Sequence, residues 1–154
     1  MIQTEIPDRM KDRPVFKGMA VPWTATMNGD TPDFKRLDQG KVERAFRNGL
    51  CGLCGHVLDR EVAFVGGPVS AAQRRYVDPP THEDCAVYAA QTCPHLAASK
   101  DYALATDLRH TPGATAQPLE AAVVLIARKW KRRGGYVIAD RVIRMRKFVT
   151  GTEE

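Results

Sequence analysis

The sequence predicts a small α+β domain, stabilised by a metal site and built with β-hairpins. Three observations predict it. All four cysteines fall between Cys51 and Leu96, together with His56, His82 and His95. Ten prolines and twelve glycines divide the chain into short elements. A C-terminal stretch has β-branched and apolar residues on both sides of Gly134-Gly135, the pattern of two strands joined by a tight turn.

At 154 residues the chain fits one domain, 1–154, within which 50–96 form the metal-binding core and 120–149 a basic C-terminal hairpin. A chain of this length buries roughly two-thirds of its unfolded surface. No stretch of ~18 apolar residues is present, so no membrane span is expected. The N-terminal MIQTEIPDRMKDR is charged and has no apolar h-region, so a cytoplasmic location is expected. The net charge of +5 is local. From Arg128 to Lys147 nine Lys/Arg face one acid, Asp140, giving +8 in that window and −3 elsewhere.

In chain order, residues 1–14 are expected to run extended over the surface. Val15-Phe16 and Ala20-Val21-Pro22-Trp23 read as short strand pieces. Met27-Asn28-Gly29-Asp30 reads as a tight turn, because Asn-Gly favours positive φ, with Phe34 on a returning strand. Asp38 is a candidate N-cap for a helix over Gln39 to Arg47, whose Val42, Ala45 and Phe46 share a face, and Asn48-Gly49 ends it. Val62 to Val65 reads as a strand, Gly66-Gly67-Pro68 as a turn, and Ser70 to Tyr76 as either a short helix or a loop. Asp78-Pro79-Pro80 is non-helical, since each proline biases its predecessor away from helix. A helix is expected from Thr81, with Asp84 completing a capping box, to about Thr92 before Pro94. Residues 96–119 read as a long loop. Glu120 to Trp130 is ambiguous in period, but Val123, Val124 and Ile126 favour strand, so a hairpin with Tyr136 to Phe148 is expected.

Cys51-x2-Cys54-Gly55 and His82-x2-Cys85 have the spacing of metal ligands rather than disulfides, which a reducing cytosol disfavours. A Cys-x2-Cys loop folds back so that both sulfurs reach one ion, and Gly55 lets the backbone turn sharply. Residues i and i+3 of a first helical turn share a face, which lets His82 and Cys85 converge. The expected ligands of a structural Zn2+ are therefore Cys51, Cys54, His82 and Cys85, with His56 an alternative to His82. Cys93 lies eight residues beyond Cys85, ~12 Å along a helix, too far for one ion. It reads as a buried thiol, and His95 as a surface or capping residue. The knuckle, the EVAFVGG stretch read as a local hairpin region, and the HEDC helix start resemble a treble clef.

A deaminase pattern fails, because Glu83 is adjacent to His82 and the Cys-x2-Cys comes first. Phosphate loops and nucleophile elbows are absent. The residues Arg128, Lys129, Lys131, Arg132, Arg133, Arg144, Arg146 and Lys147 can track a phosphate backbone, with Trp130 or Tyr136 stacking on a base. The plainer reading is a solvated hairpin whose aromatics face the core. The expected function is a non-enzymatic module binding DNA or RNA. A factor engaging a host protein is the alternative, and a metal-dependent nuclease a weaker one.

The segments IPDRMKDRPVFKG, CGLCG with VAFVGGPVSA, and HEDCAVYAAQTCP, followed by an apolar stretch before the basic hairpin, resemble a family of small zinc-binding proteins of actinobacteria and their phages. The resemblance covers most of the chain in patches, densest from Cys51 to Pro94. It implies one unit of phage or host-cell origin and supplies no catalytic residue.

Overall fold

The structure, a computed structural model, describes residues 5–92, 121–149 and 152–154. It is a mixed α/β fold in which one sheet dominates. Short strands β1 (Val15–Phe16) and β2 (Met19–Ala20) pair, as do β3 (Ala25–Asn28) and β4 (Thr31–Leu37). Helix α1 (Gln39–Asn48) follows, then β5 (Val62–Gly66), α2 (Pro68–Gln73), β6 (Arg75–Tyr76) and α3 (Glu83–Thr92). The hairpin β7 (Ala121–Arg133) and β8 (Tyr136–Val149) and the short β9 (Thr152–Glu153) complete it. The central sheet is antiparallel, in the order β5-β7-β8-β6, with β9 also on β8.

The local signals worked where they were chemical. Asp38 accepts a hydrogen bond from the Lys41 N–H, and Gly49 closes α1 at φ +65°, donating to the Ala45 carbonyl. Gly29 at φ +64° and Gly134 at φ +57° make the turns expected between β3 and β4 and between β7 and β8. Tyr136 to Val149 does return along β7 as a strand, with Arg133 opposite Tyr136.

The core explains why Ala121 to Ala127 was ambiguous in sequence. Both faces of this half of β7 are covered, so its side chains are buried without alternation, while the half beyond Ala127 is mostly exposed. On one face Phe64, Leu125, Ala127, Val137 and Ala139 pack with Ala71 and Tyr76, and α1 adds Phe46 against Trp130. On the other, Ala63, Val65, Val124, Ile126 and Phe148 meet Ala86 and Ala90 of α3. A third cluster joins Met10, Leu53, Tyr88 and Ala89 to three cysteines.

Several expectations are corrected. The N-terminal segment is anchored, not merely draped, because Met10 is buried in that third cluster. The strand at Ala20 stops there, since Pro22 has no N–H to give a ladder. Gly67 is the residue before α2, with Pro68 at its first position, so the expected turn is a strand-to-helix junction. Helix α3 starts two residues later than expected. Thr81 forms a bridge with Ala63 and its hydroxyl donates to the Ala63 carbonyl, so it is not a capping-box residue. Most consequentially, β5 does not turn back in a local hairpin: its ladder partner is β7, Val62 facing Ala127 and Gly66 facing Val123. The long loop over 96–119, Cys93, His95 and His110 lie outside the described residues.

Leu125 is fully buried at the centre of this sheet. Leu125→Ala should lower stability by about 2–5 kcal/mol, read as a lower urea midpoint at unchanged slope.

Candidate metal centre

The site is built by three segments. Cys51 to Gly55 forms a knuckle in which the Gly55 N–H donates to the Cys51 carbonyl at 2.8 Å and the Cys51 N–H to the His56 carbonyl at 2.8 Å. Gly55 sits at φ +83°, and a Cβ there would lie 2.8 Å from the Trp23 ring. The glycine is therefore demanded twice, by conformation and by the indole packed on it. Segment 22–24 clamps the knuckle from outside: the Trp23 N–H donates to Leu53, and Thr24 donates its N–H and its hydroxyl to the Gly52 carbonyl. The third segment is the bridge at Thr81 and the start of α3, where the His82 carbonyl accepts from the Ala86 N–H.

These segments bring Cys51, Cys54, His82 and Cys85 together. Their ligand atoms all lie within 4.8 Å of one another, and all four residues are buried. A tetrahedral zinc about 2.3 Å from each sulfur needs sulfur–sulfur edges of about 3.8 Å, which such a cluster accommodates. Nδ1 of His82 points inward, 3.3 Å from the Cys54 sulfur. Its Nε2 meets the Val57 carbonyl at 2.8 Å. Donation of Nε2–H to that carbonyl leaves Nδ1 as the free lone pair, the usual way a ligating imidazole is oriented.

The backbone is arranged for thiolates. The N–H groups of Leu53, Cys54 and His82 all donate to the Cys51 sulfur, each at 3.4 Å. The His56 N–H donates to Cys54 at 3.4 Å. Burial alone would raise the Cys51 thiol, but hydrogen bonds from Cys54, Cys85 and His82 and from the Cys54 backbone outweigh it and hold it far below the usual thiol range. Hydrogen bonding with Cys51 and Cys54, together with burial, pushes Cys85 up. Burial acts to lower His82, but its bonds to Cys51 and Cys54 win and push it up to about 10. Donors this close thus share protons that a divalent ion displaces on binding.

The four residues fit a metal ion. Three soft thiolates and one imidazole are a donor set suited to zinc. His56 is not among them; its side chain is exposed and its Nε2 lies 3.4 Å from an Asp12 carboxylate oxygen. Three contributions had no signal in the sequence: the Trp23 clamp, the Val57 carbonyl, and Arg9, which spans Asp84 at 3.0 Å and Asp59 at 3.8 Å beside the helix start.

The predicted nucleic-acid residues differ in how far their charge is compensated. Arg132 lies over the Phe46 ring and pairs with Glu43. Arg144 pairs with Glu83 and Glu61, Arg146 with Glu83 and Glu153, Arg128 with Glu61, and Lys147 with Glu154. Among the described residues, Lys129, Lys131 and Arg133 have no acidic partner. Trp130 is half-buried on the core side and packs against Phe46, ring centroids 5.9 Å apart. Comparison with protein-family models, curated proteins and solved structures finds no match to this chain.

Native mass spectrometry of the purified protein should read one zinc mass per chain, and Cys85→Ser should remove it and drive the protein into aggregates. A soluble, cooperatively folded Cys85→Ser protein without metal would contradict this assignment. Gly55→Ala should destabilise by at least about 1 kcal/mol. Gly135→Ala, where an added Cβ meets nothing within 4 Å, should be close to neutral in the same melting experiment.

Proposed function

We propose that the chain is a non-enzymatic zinc-binding module, treble-clef-like in its knuckle and ligand-bearing helix, that binds nucleic acid through its basic C-terminal hairpin. Zn2+ held by Cys51, Cys54, His82 and Cys85 acts in this reading as a folding element. The observation that carries it is the closure of the Cys3His cluster. Four buried protein donors leave no coordination position for a substrate. Function then falls to the surfaces that the metal holds in place, and the long hairpin bears the excess positive charge. An origin in an actinobacterium or one of its phages is part of the same proposal and rests on residue patterns alone.

Among the described residues the nuclease reading gains no support, because His82 lies in the cluster and His56 faces Asp12. A protein-binding role is favoured by one observation: Ile143 and Met145 on β8 are 37% and 54% exposed. A single saturable protein partner that survives nuclease treatment would support that role over the first. No helix among the described residues is long and apolar enough to cross a membrane.

Labelled DNA or RNA should bind at low salt, with affinity falling linearly in log–log form as salt rises. Absence of binding to both at low salt would end the nucleic-acid reading.

A further inference from the structure

Cross-strand register sorts the hairpin's cations by face. Trp130 and Arg132 lie opposite Ala139 and Val137, and Trp130, Ala139 and Val137 belong to the core side that also takes Phe46. The alternate positions therefore point the other way: Lys129 opposite Asp140, Lys131 opposite Ile138, and Arg133 opposite Tyr136. Strand β6 extends the same face, with Arg75 opposite Ile138 while Tyr76 turns into the core beside Val137. The Arg75 guanidinium sits 4.1 Å from the centre of the Tyr136 ring, so the three strands present one continuous patch.

Its charge is predominantly positive. Lys129, Lys131 and Arg133 are exposed, recur at every second residue of one strand, and lack acidic partners among the described residues. The row also holds one acid, Asp140, which lies opposite Lys129 and accepts from the N–H of its neighbour Arg141, so the face keeps a net positive charge from three cations of β7 and from Arg75. By contrast Arg128, Arg144, Arg146 and Lys147 pair with Glu61, Glu83, Glu153 and Glu154.

Resting on the nucleic-acid reading above, we infer that the ligand is a single strand, laid across the distal hairpin face formed by Lys129, Lys131, Arg133, Arg75 and Tyr136. Cations two residues apart on a strand are about 6.7 Å apart, a step comparable to that between phosphates of an extended single strand. Tyr136 carries the Arg75 guanidinium over one ring face and supplies the other as the aromatic surface on which an unpaired base stacks, and a duplex keeps its base faces covered. The ion-paired arginines of the proximal hairpin hold β8 to α3 and β9 and take no direct part.

The test is fluorescence anisotropy with a labelled oligothymidylate and a duplex of equal length, on metal-loaded protein. Lys129→Ala/Lys131→Ala/Arg133→Ala should lose about tenfold or more in affinity and flatten the log–log salt slope by about 2, at about 0.7 per phosphate contact. Arg144→Ala/Arg146→Ala should bind within about threefold of the parent. Tyr136→Ala should lose about fivefold or more and Tyr136→Phe should retain binding. Zinc content and melting temperature confirm that each variant is folded. If the parent binds but only the Arg144/Arg146 variant is impaired, the distal face is the wrong surface while the nucleic-acid reading stands. A preference for duplex with no effect of Tyr136→Ala overturns the ligand class. If the parent binds neither probe at low salt, the nucleic-acid reading itself fails.

Discussion

Three backbone N–H groups converge on the sulfur of Cys51, and much of the fold can be traced outward from that point. A buried thiolate is costly unless donors surround it. Two of these donors come from the knuckle and the third from His82, 31 positions along the chain. Satisfying the sulfur therefore requires segment 80–82 to lie against the knuckle, where the Gly52 N–H also donates to the Pro80 carbonyl. That placement puts Thr81 on Ala63 and so attaches the site directly to the edge of the central sheet. A metal at the cluster would close the same loop a second time, through side chains instead of backbone.

The hairpin is the other organiser, and the two meet at the start of α3. Glu83, one residue beyond a metal ligand, pairs with Arg144 and Arg146 of β8. Acids at a helix N-terminus are favourable, and here the acid serves also as the anchor for two cations of the long strand. Arg146 is held charged more firmly by its hydrogen bond to Glu153 and then by Glu83, against the cost of partial burial. Such pairs contribute modestly to stability one by one. Their larger effect is on the charge distribution, since they neutralise about half of a basic segment and leave uncompensated charge on Lys129, Lys131 and Arg133.

The legible parts of the sequence were those in which one residue's chemistry settles the matter. Asp38 and Gly49 bracket α1 because a side-chain acceptor and a positive φ are what helix ends require. Gly29 and Gly134 mark turns for the same conformational reason. The four ligands were legible because thiolate and imidazole at two-residue spacings have few other uses. The start of α3 is not legible in the sequence, because Thr81 has two possible partners, a helix N–H or a carbonyl of β5, and periodicity cannot choose between them. The all-buried run in β7 was ambiguous because a strand covered on both faces loses its alternation.

Residue type and near neighbours were enough for the clustered Cys and His positions, the turns at Gly29 and Gly134, the caps of α1 and the concentration of charge. Only the tertiary structure decided which strand pairs with β5, that Trp130 faces the core, and which cations remain uncompensated. Those outcomes depend on residues 60 to 90 positions apart, as with Glu83 and Arg144 or Glu43 and Arg132. Nothing in local spacing encodes such meetings; they follow from how the sheet's two faces are filled.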